Sequence, residues 1–215
     1  MPHTELDLTP EDESPALITR RRMFGLLAAT GASLFFSSGR ADAFFNFFDG
    51  MSSAPSNTLQ SLNIPTEWRV KLGPNLAAYA HYLRTANLKN ITVRQVIAPH
   101  TKARGSVQNT LPPKTMWRNI RSTAKVVDML VDRLDVPVKD LVSIYRSPAY
   151  NARCAGAKSN SYHLRNNAID ATFQCAPGKV AAMARAMRSA GLFKGGVGRY
   201  GGFTHVDTRG SNVDW

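Results

Sequence analysis

One short stretch, Ser161 to Asp170, places a histidine and an aspartate seven positions apart, with the aspartate inside a short apolar run. His163 and Asp170 can therefore meet at one cation, and His205 offers a third ligand from a distant part of the chain. Two imidazoles and one carboxylate leave the fourth position of a tetrahedral Zn²⁺ free for water, which is the arrangement of a hydrolytic zinc centre. An isolated pair with this spacing would more often consist of turn and surface residues.

Three blocks of sequence surround this pair. The first reads Tyr-Arg-Ser-Pro-Ala-Tyr-Asn over residues 145–151, and the second is the Ser-x-His-(x)6-Asp block that begins at Ser161. The third runs from Gly195 through Gly-Val-Gly-Arg-Tyr to residues 203–209 and Trp215. In this order the blocks resemble the zinc D-alanyl-D-alanine carboxypeptidase and murein endopeptidase family, which shares its fold with the hedgehog signalling domain. The similarity covers about residues 99–215, and it implies that His163, Asp170 and His205 hold zinc.

The same resemblance implies two residues that face the substrate. Arg146, in the first block, matches the family arginine that faces the substrate, and a tetrahedral intermediate needs such a positive partner for its oxyanion. Its alternative role is a structural ion pair. Ser161 matches a family serine that forms a hydrogen bond with the substrate, and its alternative role is to cap a turn.

The chain departs from the family at the general base and at one turn. Several relatives carry a glutamate three residues before the last histidine, or a histidine two before it, and here these positions are Gly202 and Phe203. Asp207 is the nearest remaining carboxylate, and it is predicted either to act as the base or to orient His205. Asn166 replaces a usual glycine, and asparagine tolerates the left-handed backbone that such a turn requires.

The N-terminal residues have the pattern of an export signal. Arg20, Arg21 and Arg22 precede an uncharged run over residues 24–39, and Ala41-Asp42-Ala43 is a small-x-small cleavage site. The arginine pair followed by Phe24 indicates the twin-arginine route to the bacterial periplasm. An uncleaved anchor is the alternative. After cleavage we expect no stable membrane span.

The charge of the chain is strongly positive. Residues 1–43 hold four of the 27 basic and six of the 15 acidic side chains, so the mature protein has 23 and 9, a net charge of +14. This excess favours anionic polymers of the cell envelope as partners, although many small envelope proteins are basic without one. A nucleic-acid-binding role is disfavoured because no motif of that class is present.

The only two cysteines, Cys154 and Cys175, bracket the segment with the first two predicted ligands. In an oxidising compartment they either form a disulfide or remain as two buried thiols.

The periodicity of apolar residues predicts an α+β fold, with a small antiparallel sheet that carries the zinc site. Helices over Thr115–Leu134 and Lys179–Ala190 pack against this sheet. The other predicted elements are a helix over Leu72–Asn87, strands over Ile91–Ala98, Leu141–Tyr145 and Asn167–Phe173, a short helix starting at Pro148 behind a Ser147 cap, and a hairpin joined by Gly201-Gly202.

Three regions follow from these patterns: an export signal (1–43), an N-terminal arm and extension without assigned chemistry (44–98), and a catalytic domain (99–215). The predicted function is zinc-dependent hydrolysis of peptide bonds in peptidoglycan stems or cross-links, by a D,D-carboxypeptidase or a murein endopeptidase. The alternative is a non-catalytic, metal-containing module that binds peptidoglycan, because the expected glutamate or histidine base is missing.

Overall fold

The computed structural model describes residues 57–215. The predicted export signal, its cleavage site and the Phe-rich start of the N-terminal arm lie outside the described residues. Within residues 57–215, no helix has the length and apolar character needed to cross a membrane.

The regular elements of this part are short, apart from two helices. In chain order they are α1 (Thr58–Ser61), α2 (Trp68–Leu72), α3 (Leu76–Arg84), α4 (Val93–Ile97), β1 (Ala103–Arg104), β2 (Val107–Gln108), α5 (Ile120–Leu134), β3 (Val138–Ser143), α6 (Pro148–Asn151), β4 (Ala168–Phe173), α7 (Pro177–Ser189), β5 (Gly196–Arg199), β6 (Thr204–Asp207) and β7 (Val213–Asp214). Three short 3-10 helices lie at Ala98–Thr101, Lys114–Asn119 and Tyr162–Arg165.

A five-stranded sheet forms the centre of the molecule, with the strand order β3–β4–β6–β5–β7. Neighbouring strands are antiparallel except β5 and β7, which are parallel. The two long helices, α5 and α7, contact each other and the sheet. Their apolar stripes face this core, and Val127 and Leu130 on α5 and Ala181 and Ala184 on α7 are fully buried. The predicted α+β architecture is therefore confirmed.

The helix predicted over Thr115–Leu134 has two parts. A 3-10 helix follows the two prolines at 112 and 113, and its Trp117 donates a hydrogen bond from Nε1 to Pro112 O at 3.0 Å. The α-helical part begins only at Ile120 and ends where Asp135 adopts a left-handed backbone. The apolar stripe was correctly located, because the buried residues recur at helical spacing.

The strand predicted over Ile91–Ala98 is wrong, since this segment forms α4 and the start of a 3-10 helix. Thr92 Oγ1 accepts a hydrogen bond from the backbone of Gln95, and Gln95 Oε1 accepts one from the backbone of Thr92. This reciprocal capping box satisfies two backbone N–H groups at the helix start. It outweighs the strand preference of the β-branched residues here.

The N-terminal helices share one hydrophobic core with the sheet. Leu76, Tyr79 and Leu83 of α3 are buried in it, and the Tyr79 ring lies 5.1 Å from Trp117 and 5.9 Å from His100. The helix predicted over Leu72–Asn87 is shorter, because Gly73 takes a positive φ of 80° and separates α2 from α3.

Two further predictions concern the cysteine pair and the hairpin of β5 and β6. Cys154 and Cys175 are both free thiols, so the disulfide alternative is not realised. The hairpin of β5 and β6 is confirmed, but neither Gly201 nor Gly202 adopts a positive φ.

Candidate metal centre and active site

Two of the three predicted metal ligands, Asp170 and His205, lie side by side on adjacent strands of the sheet. Ser143 on β3 pairs with Asp170 on β4, Asp170 pairs with His205 on β6, and His205 pairs with Gly198 on β5. Because side chains on paired residues point to the same face, Asp170 and His205 meet there. His205 Nδ1 lies 2.7 Å from Asp170 Oδ1.

His163 reaches this row from the 3-10 helix at Tyr162–Arg165. Ser161 Oγ accepts a hydrogen bond from the backbone N–H of His163 at 3.3 Å, so this serine caps the turn. Asn166 ends the turn with a positive φ of 53°, and its side-chain amide donates to Met116 O at 3.0 Å. The predicted left-handed asparagine is thus confirmed.

The tautomer of His163 follows from its surroundings. Its Nδ1 lies 2.5 Å from the carbonyl oxygen of Ile144, which can only accept, so Nδ1 carries the proton. The lone pair of Nε2 then faces Asp170 Oδ2 at 3.2 Å. Two acceptors that face each other at this distance repel unless a proton or a metal ion lies between them.

The three side chains fit a zinc ion. Ligand atoms of His163, Asp170 and His205 lie within 4.8 Å of one another, and all three residues are buried. Two ligands about 2.0–2.1 Å from a tetrahedral zinc lie about 3.3 Å apart, close to the distance between His163 and Asp170. Among residues 57–215 this is the one group of histidine, cysteine and carboxylate side chains that could hold a metal ion.

Asp207 lies behind His205 and is completely buried. Its Oδ2 lies 3.0 Å from His205 Nε2, and its Oδ1 accepts hydrogen bonds from the backbone of Gly196 at 3.0 Å and from Arg209 Nε at 2.8 Å. If Nε2 donates to Asp207, the lone pair of Nδ1 points to Asp170. A carboxylate in this position is a common partner of a zinc-binding histidine.

The electrostatics of the cluster favour ionised carboxylates. Burial would raise the pKa of Asp170, but His163 and His205 outweigh it and hold that pKa well below its usual range. Burial acts in the same direction on Asp207, where hydrogen bonds from Arg209 and His205 again leave the pKa below its usual range. Burial lowers the pKa of His163, so this ring is neutral at pH 7, as a metal ligand must be.

Arg146 also converges on Asp170. Its Nη2 lies 2.6 Å from Asp170 Oδ2, and its Nε donates to Ser143 Oγ at 2.7 Å. The guanidinium thus lies beside a carboxylate of the candidate metal cluster and is itself largely buried. Both roles considered for this arginine are compatible with that position.

The cluster opens into a cavity of about 570 Å³. His163, Asp170 and His205 form part of its wall, together with the predicted substrate residues Ser161 and Arg146. Further lining residues are Ala155, Gly156, Ala157, Lys158, Asn160, Tyr162, Tyr200, Phe203, Arg209 and Trp215. Asp170 is the only carboxylate among these described residues.

Sequence reasoning missed the contacts of Trp215 and Arg209. The indole of Trp215 lies 5.1 Å from the His205 ring, and the Arg209 guanidinium lies 4.1 Å from the centre of Tyr162. For Trp215 the sequence holds one signal, which is the glycine at position 198 within β5. In the structure a β-carbon at this position would lie 2.4 Å from Trp215 Nε1. Glycine inside a strand often marks such a close approach.

One comparison with known proteins gives a match. The family model described as Peptidase M15 matches residues 89–207, which is more than half of the chain and includes the metal cluster. No protein of curated function and no solved structure gives a significant match.

Proposed function

The chain belongs to the peptidase M15 family of zinc metallopeptidases, and on that basis we propose that it hydrolyses peptide bonds in peptidoglycan stems or cross-links. One observation carries the proposal: the ligand atoms of His163, Asp170 and His205 converge at the wall of a cavity that has room for a peptide.

The residues of the cluster would hold the metal in a defined geometry. When bound, zinc acts as a Lewis acid and lowers the pKa of water toward ~7. Ile144 O fixes the ring of His163, and with Nε2 of His205 donating to Asp207, Nδ1 of that ring would present its lone pair to the same point as Nε2 of His163. Such partners stabilise the ring orientation that a ligand needs.

Arg146 is proposed to stabilise the negative charge that develops on the carbonyl oxygen of the substrate. The guanidinium borders the cavity, and Ser143 and Asp170 hold it in place. A donor that is already oriented needs no reorganisation during the reaction. Ser161 lines the same cavity and is proposed to hold the substrate backbone.

Asp207 is proposed to orient His205 rather than to accept a proton from water. The carboxylate is completely buried, and donors from Gly196, Arg209 and His205 occupy its oxygens. A general base must reach the proton that it abstracts, directly or through one water.

The substrate class is supported by the charges around the cavity. Arg146, Lys158 and Arg209 line it, while Asp170 in its wall pairs with Arg146 and the buried Asp207 pairs with Arg209, so these five side chains leave an excess of one positive charge. Stem peptides with free carboxylates would be attracted to such a site. We further propose that residues 1–43 direct the enzyme to the periplasm, where its positive charge favours the anionic polymers of the envelope.

A second candidate is a metal-containing module that binds peptidoglycan without cleaving it. Two positions favour it, because Gly202 has no side chain to accept a proton and Phe203 stacks on Tyr200 at 4.5 Å.

Digestion of purified sacculi by zinc-loaded and by chelated protein distinguishes the two candidates. We expect zinc-dependent release of new muropeptides, absent in His163→Ala and retained in His81→Ala, which alters a histidine outside the cavity. Mass spectrometry of the products separates loss of a terminal D-alanine from cleavage of a cross-link. Binding to sacculi without any release would support the module and contradict the peptidase.

A further inference from the structure

Three aromatic side chains form a surface beside the metal cluster, here called the aromatic platform: Tyr200, Phe203 and Trp215. The rings of Tyr200 and Phe203 stack with centres 4.5 Å apart and planes inclined by 14°. Trp215 Nε1 donates to the hydroxyl of Tyr200 at 2.7 Å. Tyr200, 41% exposed, and Trp215, 43% exposed, are two of the large hydrophobic side chains that lie open to solvent among residues 57–215.

The platform is held in place on both sides. At the hairpin, the backbone N–H of Tyr200 donates to Phe203 O at 3.0 Å. On β7, the carboxylate of Asp214 accepts from Arg188 at 2.6 Å and from Arg185 at 2.9 Å, which ties this strand to α7. A ligand that binds these rings therefore meets a preformed surface and does not have to order it.

The platform belongs to the same cavity as the metal cluster. All three of its residues line that cavity, and the ring of Trp215 lies 5.1 Å from the ring of His205. A group that rests on the platform is consequently a neighbour of the bond that the metal would attack.

The chemistry of the cavity indicates what this group is. Tyr200 and Phe203 cover one face of each other, so a ligand stacks on an outer face of this pair, and such a flat aromatic face binds a flat apolar surface. Lys158, Asn160 and Ser161 offer exposed or half-exposed polar groups in the same cavity. A pyranose ring has an apolar face of C–H groups and a periphery of hydroxyl and amide groups, so it uses both. A purely apolar side chain would leave those polar groups without partners.

We propose that the aromatic platform binds a sugar ring of the glycan strand, and that the preferred substrate is a stem peptide still attached to its sugar. This inference rests on the proposed peptidase function and adds a second binding element to it. Stacking of this kind corresponds to a preference of about 3- to 10-fold for the sugar-linked peptide.

The test compares one stem peptide in two forms, free and linked to its disaccharide. For the zinc-loaded protein we expect kcat/KM to be about 3- to 10-fold higher for the linked form. This ratio should fall toward one in Tyr200→Ala and in Phe203→Leu, and remain unchanged in Leu192→Ala. Leu192 is 42% exposed but does not line the cavity, so it controls for the loss of a surface apolar group.

Calorimetric titration of the chelated protein with both peptides measures binding without turnover. We expect the linked peptide to bind about 3- to 10-fold more tightly, and this difference to disappear in the two platform variants. Equal affinity and equal kcat/KM for the two forms would overturn the platform. If neither form is cleaved, the proposed peptidase function fails, and the titration still decides for or against the platform.

Discussion

Replacing His100 with phenylalanine should remove a large part of the acid sensitivity of the folded protein. His100 is fully buried between the rings of Tyr79 and Tyr145, and neither of its ring nitrogens has a hydrogen-bond partner among residues 57–215. Burial lowers the pKa of His100 to about 3. Phenylalanine keeps an aromatic ring in this stack and has no group that titrates.

The size of the effect follows from the difference between the folded and unfolded pKa. The unfolded chain binds a proton below about pH 6.5, whereas the folded protein binds it only near pH 3. Stability is therefore complete above pH 6.5 and falls as the pH decreases toward 3. Between pH 7.5 and pH 5 this histidine alone should lower the free energy of unfolding by about 2 kcal/mol.

Urea unfolding at both pH values, followed by tryptophan fluorescence, measures this difference. Both proteins should be studied after chelation, because zinc binding to His163 and His205 also depends on pH. The loss of stability from pH 7.5 to 5 should then be smaller in His100→Phe than in the wild type by about 2 kcal/mol. His100→Leu repeats the test in case the larger ring disturbs the core.

An equal loss of stability in the wild type and in both variants would refute the reasoning. It would mean that His100 is protonated in the folded protein at pH 5, or that it is not enclosed as described.

Three further substitutions test separate features. Asp207→Asn should weaken zinc binding by about 10- to 100-fold in competition with a chromophoric chelator, because His205 loses its anionic partner, and unchanged affinity would contradict that role. Asp128→Ala should lower the free energy of unfolding by about 3 kcal/mol, since this carboxylate accepts from three backbone N–H groups. Asp132→Ala, which breaks an ion pair exposed to solvent, should have a much smaller effect and serves as its control. Asn166→Ala should cost about 2 kcal/mol through the left-handed backbone and the lost bond to Met116, whereas Asn166→Gly should cost about half as much in the same denaturation assay.

The metal cluster could be predicted because its residues belong to short blocks whose order is visible in the sequence. His163, Asp170 and His205 each lie in such a block, and the structure brings them together. The α+β class was accessible for a related reason, since the apolar residues of α5 and of β4 follow the periods of a buried helix and a buried strand.

Other features are not visible in the period of the apolar residues, because they depend on a local capping motif or on contacts between distant residues. The strand expected over residues 91–98 is a helix because Thr92 and Gln95 bond to each other's backbone. The partners of Asp207 come from the end of β6 and from β5, so its environment depends on how the sheet pairs. The packing of Tyr79 on His100 and Trp117 joins residues 21 and 38 positions apart and has no local signature.

Because Gly198 contacts the indole of Trp215, the residue tolerated at position 198 depends on the residue at position 215. Any side chain at residue 198 would collide with the indole where it now lies, so that ring must shift or be lost before residue 198 can change. Conversely, a tryptophan can occupy this position only when residue 198 is a glycine. Libraries that vary residue 198 alone should therefore return glycine, and larger residues at 198 should appear mainly when the codon for residue 215 is randomised as well.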